Sequence, residues 1–247
     1  VVTIHDLVWK YAGNTMRPLT FFLEKIQMPL AVRAANLVVA DSQATADSVK
    51  LEFDVDNVKV ISLAANPVES LTCFVDLNAH GINRPYFLFV GTIEPRKNLT
   101  RLLTAYSLLP NAVKLQTSLV IAGGRGWGKF NLEDTIARLD LGDYVRVLGY
   151  VDEPTLSALY ANARFLAMPS LYEGFGLPLV EAMAYGIPVL TSNNSSMPEV
   201  AGDAGLLVDA EDTNSIKEGL RQLLTDEVQR NTLGNNAKTH VKSFNWD

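Results

Sequence analysis

The stretch from 170 to 200 constrains this chain most. Its centre is Glu173-Gly-Phe-Gly-Leu-Pro-Leu-Val-Glu181, set between two short apolar runs at 165–168 and 188–190. Runs so brief, apolar and flanked by Gly or Pro read as buried strands. Pro178 suits a first helical position, where no amide proton is needed, and Gly186 suits the position past a helix end, so a helix is predicted over about 178–185. The unit is therefore strand, loop, helix, strand, with Glu173 in the loop and Glu181 in the first helical turns. Gly174 and Gly176 leave backbone amides uncovered at a helix N-terminus, where α/β proteins hold anionic ligands. Two acceptor carboxylates beside such amides point to a ligand carrying both hydroxyls and phosphate.

The same alternation extends along the chain. A strand is predicted at 1–4, ending at His5-Asp6, then a helix near 17–34, a strand at 37–40, a helix near 44–52 and a strand at 58–62. Residues 65–85 carry turn residues without a sustained period and read as a connection. A second series follows, with strands at 86–90, 118–122, 144–148 and 206–208 and helices near 98–109, 132–139, 154–161 and 213–224. Leu99, Leu102, Leu103, Tyr106 and Leu109 form one stripe on the first of these helices. A doubly wound parallel sheet is expected for the second half. Three strands are thin for a parallel sheet, which needs both faces covered, so the first half reads as incomplete.

At 247 residues, with 48% hydrophobic content, the chain is long enough for two α/β halves and is not a disordered polymer. A net charge of −6 without a basic cluster argues against a nucleic-acid partner. Cys73 is the single cysteine, which rules out an intramolecular disulfide, fits a reducing cytoplasm, and reads as a packed or surface thiol. No apolar run approaches the roughly 20 residues that span a bilayer, which leaves peripheral contact with the inner face of a membrane open.

Several residues sit where ligands bind. Arg96 and Lys97 lie in the loop from Gly91 to Asn98, which leaves a strand and enters a helix that Asn98 is expected to cap. They read either as a phosphate site or as two solvated cations. Gly123-Gly-Arg-Gly-Trp-Gly128 is a second strand-end loop, a ligand contact or a tight connection, with Trp127 over a pocket or on the loop itself. Ser196-x-x-Glu199 has the spacing of a capping box. His5 stands at a strand end beside Asp6, in a structural or an active-site role.

Together, Phe89-Val-Gly-Thr-Ile-Glu-Pro-Arg-Lys-Asn-Leu99, Leu148-Gly-Tyr-Val151, Pro169-Ser-Leu-Tyr-Glu-Gly-Phe-Gly-Leu-Pro178, Glu181-Ala-Met-Ala-Tyr-Gly186 and Pro198-Glu-Val200 resemble the family 4 retaining glycosyltransferases, in particular bacterial enzymes of polysaccharide biosynthesis. The two glutamates separated by seven residues are the most specific part. The resemblance implies a GT-B fold of two Rossmann-like domains. Here these would be a partial acceptor-side domain with linker at 1–78 and a donor-binding domain at 79–247. It implies a donor such as a GDP-sugar or UDP-sugar, no separate cofactor and no metal, and an acceptor hydroxyl on a glycan or a lipid-linked sugar.

By position, Arg96 and Lys97 resemble the clamp on the donor diphosphate, in the loop opened by Gly91. Glu181 resembles the ribose acceptor and Glu173 the carboxylate near the donor sugar. The amides of Phe175, Gly176 and Leu177 would hold sugar hydroxyls and phosphate, and His5 would reach the donor sugar from the first domain. Two departures stand out. The family's N-terminal glycine-rich segment is missing, and the chain stops at Phe244-Asn-Trp-Asp247 where family members continue into returning helices. The chain thus looks trimmed at both ends, and self-association through the incomplete first domain is expected. A nucleotide-sugar-binding fragment without transfer activity and a sugar-nucleotide epimerase on the same fold remain as alternatives.

Overall fold

Two parallel sheets carry the chain in the computed structural model, which describes residues 1–65, 75–128 and 131–246. Cys73 and part of the predicted connection lie outside the described residues. The first sheet has three strands, β1 (Val2–Ile4), β2 (Val38–Ala40) and β3 (Val58–Val60), hydrogen-bonded in that order. Between them run α1 (Val8–Tyr11), α2 (Pro18–Ala34) and α3 (Gln43–Phe53). Helix α1 is too short to show a period, and the sequence did not signal it. The register pairs Ile4 with Ala40, so the next residues, His5 and Asp41, leave the sheet side by side.

The second sheet is built from β4 (Tyr86–Val90), α4 (Leu99–Ser107), α5 (Asn111–Lys114), β5 (Ser118–Ala122), α6 (Leu132–Arg138), β6 (Val145–Gly149), α7 (Glu153–Asn162) and β7 (Leu166–Met168). It continues through α8 (Leu177–Ala184), β8 (Val189–Ser192), α9 (Met197–Ala201), β9 (Gly205–Val208), α10 (Thr213–Thr225) and α11 (Glu227–His240). Its six parallel strands run in the order β6-β5-β4-β7-β8-β9. Side chains alternate between two apolar layers. Leu88, Val120, Leu166 and Val189 pack on one face, whereas Phe87, Phe89, Leu119, Ile121, Phe165 and Leu190 pack on the other. Both faces are covered, which is why these strands read as unbroken apolar runs.

Helix α11 escaped the periodicity because its buried positions are Gly234 and Ala237, not large apolar residues. A Cβ on Gly234 would come 2.8 Å from the Gly186 carbonyl oxygen, so the close approach of α11 to the end of α8 depends on its absence. Beyond α11, Phe244 meets Phe175 edge to face at 5.8 Å. Phe244 thereby braces the loop in front of α8.

Candidate active site

Strands β4 and β7 are neighbours at the centre of the second sheet, and the strand order runs outward from them in both directions. Helix α4 packs through Leu99, Leu102 and Leu103 on the face of Phe87 and Phe89. Helix α8 packs through Leu179, Val180 and Met183 on the opposite face. The two connecting loops therefore diverge and leave a crevice at the carboxyl ends of the strands, the place where open α/β sheets bind ligands.

The loop after β4 carries Gly91 (φ 143°), a 3₁₀ turn over Pro95–Lys97, and Asn98 in a left-handed conformation. Asn98 does not cap α4 through its side chain, as the sequence suggested. Its amide instead donates to the carbonyls of Pro169 (2.9 Å) and Ala210 (2.7 Å), tying the β4 loop to those after β7 and β9. Sequence spacing cannot distinguish these two uses of one side chain.

Arg96 and Lys97 both converge on Glu173. The Lys97 ammonium donates to it at 2.8 Å, and Arg96 donates to it and also to Glu94 and the Tyr172 carbonyl. The solvated-cation reading is thereby excluded: Lys97 is buried and the Arg96 side chain is only 15% exposed. Burial pushes the Glu173 carboxyl up, but Lys97 and Arg96 outweigh it and hold the group below its ordinary value. The four charges sum to zero, so the site tolerates its own burial while keeping two cations at hand.

Gly176 adopts φ 102° immediately before α8, which begins at Leu177, one residue earlier than predicted. Ser196 donates to the carbonyls of Glu173 and Phe175 and so fixes the loop. Among the described residues, the amides of Phe175, Gly176 and Leu177 donate to no protein acceptor. They remain available at the N-terminus of α8, where the helix dipole favours an anion.

Glu181, on α8, accepts from the Tyr160 hydroxyl at 2.7 Å, and Tyr160 stacks on Tyr185. Burial raises the Glu181 carboxyl above its ordinary value, the Tyr160 hydrogen bond opposes that rise, and Glu153 adds to it. Glu173 and Glu181 share no partner and belong to separate networks.

His5 lies across the crevice. Its Nδ1 is held at 2.7 Å by Asp41, which is buried, whereas the His5 side chain is 72% exposed. The sequence reading overlooked Asp41, although the strand-end rule that drew attention to His5 applies equally to it. The Glu173 loop sits directly on this edge: a Cβ on Gly174 would lie 1.8 Å from the His5 carbonyl oxygen. Ser42 and Thr45, in the first turn of α3, both donate to the Gly174 carbonyl, at 2.6 and 3.0 Å. The expected capping box at Ser196 does not form. Glu199 instead accepts from the amides of Gln43 and Ala44, capping α3 from the other half of the chain. Trp127 likewise reaches across, its indole donating to the Thr15 carbonyl at 2.8 Å.

Residues 76–240 match the family model for group 1 glycosyl transferases. The chain belongs to this family. It is 43% identical over 162 residues to O-antigen chain mannosyltransferase B of Escherichia coli, a match covering 66% of this chain and 42% of that one. A serotype-specific mannosyltransferase of the same species, WbdA, is 30% identical over 268 residues, covering all of this chain and 32% of the relative. The chain thus spans less than half the length of these curated relatives. Among solved structures, sucrose-phosphate synthase from Thermosynechococcus elongatus superposes with a TM-score of 0.78 at 26% identity, over 99% of this chain and 64% of that one. Anabaena Alr3699/HepE in complex with UDP-glucose gives 0.80 at 22% identity, over 98% and 67%. The fold of this chain is GT-B, with parallel sheets as the sequence predicted. No helix among its described residues is long and apolar enough to cross a membrane.

Proposed function

We propose that this chain is the catalytic part of a retaining hexosyltransferase. It moves a hexose of the mannose or glucose type from a nucleotide diphosphate donor, GDP-mannose ahead of UDP-glucose, to a hydroxyl of a glycan or lipid-linked acceptor, on the cytoplasmic side of a membrane. The observation that carries this reading is the convergence of Arg96, Lys97 and the unused amides of Phe175, Gly176 and Leu177 at the switch point of the sheet. The mannosyl assignment rests on the mannosyltransferase relatives. In this reading residues 1–78 form the acceptor side and 79–247 the donor side.

Arg96, Lys97 and the helix amides bind the diphosphate and stabilise the charge that grows on it as the sugar bond breaks. Gly91 has no side chain, so the phosphates approach the backbone beside Lys97. Glu181 takes hydrogen bonds from the ribose hydroxyls. Glu173 accepts from the donor sugar, and His5, anchored through Nδ1, presents Nε2 to it. The acceptor oxygen bonds to the anomeric carbon on the face the phosphate leaves. The bonding pair departs with the phosphate, and the acceptor proton passes to a phosphate oxygen.

Incubation with GDP-mannose or UDP-glucose and a lipid-linked oligosaccharide should release nucleoside diphosphate and give a product with the donor's anomeric configuration by NMR. An inverted product overturns retention. Recovery of an epimerised sugar nucleotide without acceptor overturns transfer altogether.

A further inference from the structure

Ser170 stands three residues before Glu173 in the loop after β7, and it is fully buried. Among the described residues its hydroxyl is the one buried side-chain polar atom without a hydrogen-bond partner. A buried hydroxyl left unpaired is costly, and its presence in a binding loop is explained by a partner that reaches it in another state of the site.

The backbone around Ser170 and Glu173 is pinned. The Pro169 carbonyl accepts from the Asn98 side-chain amide at 2.9 Å, the Leu171 amide donates to the Arg96 carbonyl at 2.9 Å, and the Tyr172 carbonyl accepts from Arg96. The Glu173 amide donates to the Ser195 hydroxyl at 3.1 Å, and its carbonyl accepts from Ser196. Side-chain rotation alone is left to bring the two residues together. Burial raises the Glu173 carboxyl, whereas Lys97, Arg96 and then the Ser170 hydroxyl lower it, which sets the hydroxyl beside the carboxylate. In the free protein Lys97 takes Oε1 of that carboxylate and Arg96 takes Oε2. The other charged groups here are Glu94 and Asp6, both acting on Arg96, and the pair of His5 and Asp41 at the facing strand edge.

A diphosphate brings its own negative charges to Arg96 and Lys97 and leaves Glu173 buried without them. A carboxylate so placed either finds a neutral donor or takes up a proton. Ser170 is the neutral side-chain donor at hand. We propose that Ser170 is a positioning residue: its hydroxyl, unpaired in the free protein, donates to Glu173 once a diphosphate has engaged Arg96 and Lys97, so that the carboxylate stays ionised and turned toward the donor sugar. This rests on the reading of Arg96 and Lys97 as the diphosphate site.

The test is calorimetric titration of wild type, Ser170→Ala and Ser170→Cys with GDP and with UDP, in buffers of different ionisation enthalpy, which reports the protons taken up on binding. At about pH 8, well above the ordinary glutamate value, Ser170→Ala should bind at least about fivefold more weakly than wild type. Its affinity should recover as pH falls, with more proton taken up per ligand than in the wild type, because protonation relieves the stranded carboxylate. Ser170→Cys leaves no cavity but is a poorer donor, and should shift the same way, which separates loss of the donor from loss of volume. In a Glu173→Gln background, where the side chain does not titrate, Ser170→Ala should add no proton uptake. Circular dichroism checks that the variants fold. Equal affinity and proton uptake in wild type and Ser170→Ala overturns the proposal. So does a loss of affinity that is independent of pH and persists beside Glu173→Gln; either result leaves the diphosphate site standing. Binding unaffected by Arg96→Ala and by Lys97→Ala overturns both the site and the role of Ser170.

Discussion

The Lys97 ammonium and the Glu173 carboxylate meet at 2.8 Å, with side chains only 11% and 7% exposed, across 76 positions of sequence. This pair, with Arg96 on the other carboxylate oxygen, holds the loops after β4 and β7 together across the crevice. Under the proposed function, a donor diphosphate entering there would compete with Glu173 for the same two cations.

Glu173→Gln leaves Arg96 and Lys97 without their shared counter-charge and is expected to cost about 3 to 5 kcal/mol of stability at neutral pH. The folded-state pKa of Glu173 is lowered, so its contribution is present above the ordinary carboxylate value and is lost as pH falls through the lowered one. The stability gap between wild type and variant should therefore stay constant near neutrality and narrow below about pH 4.3. Denaturant unfolding from pH 7 to pH 3 measures it, and a gap that widens in acid contradicts the pairing.

Arg96→Ala or Lys97→Ala removes a charge-assisted hydrogen bond worth about 1.5 to 3 kcal/mol, so nucleoside diphosphate affinity should fall at least about tenfold. Glu173→Gln should do the reverse for free nucleoside diphosphate, because it releases both cations, while weakening the intact sugar nucleotide. Calorimetric titration of the three variants with both ligands separates these effects. Identical profiles in all three would reject the assigned roles.

Tyr160→Phe removes the hydroxyl that opposes the burial-driven rise of the Glu181 pKa. The sign follows directly: a higher pKa means that Glu181 protonates earlier as pH falls, and a protonated carboxyl is a poorer acceptor for ribose hydroxyls. Nucleotide affinity in the variant should thus decline at a higher pH than in the wild type. Titrations between about pH 4.5 and pH 7 bracket this window above the ordinary glutamate value, and superimposable pH profiles would exclude Glu181 from nucleotide binding.

Gly174→Ala places a methyl group against the His5 carbonyl, with the unrelaxed Cβ only 1.8 Å from the oxygen. The two loops must separate, at a cost of about 1 to 3 kcal/mol, and donor affinity should drop with the displaced Glu173. Gly142→Ala is the control, because nothing lies within 4 Å of its added Cβ. Similar melting temperatures for the two variants would mean that the contact between loop and strand edge is dispensable.

Glu199 caps α3 from a distant part of the chain, and Glu199→Gln weakens both charge-assisted bonds to the Gln43 and Ala44 amides. With a typical cap worth about 1 kcal/mol, these two amides should exchange with solvent about fivefold faster while those of β5 are unchanged. Unaltered exchange at Gln43 and Ala44 would place the cap elsewhere.

The sequence alone determined the alternation of strands and helices and the loops at which the chain leaves the second sheet. Apolar period and Gly or Pro punctuation are local signals, written within a few residues of the element they define. That is why Arg96, Lys97 and Glu173 could be picked out as strand-end residues. What each side chain touches was decided only in three dimensions. Asn98 spends its amide on Pro169 and Ala210, not on its own helix. Asp41 reaches His5 across 36 positions, Ser42 reaches Gly174 across 132, and Glu199 reaches Ala44 across 155. Helix α11 hides behind a face of glycine and alanine. A hydrogen bond needs its donor and acceptor within about 3 Å, and only the seating of one sheet's loops on the other sheet's edge sets such distances for residues so far apart in the chain.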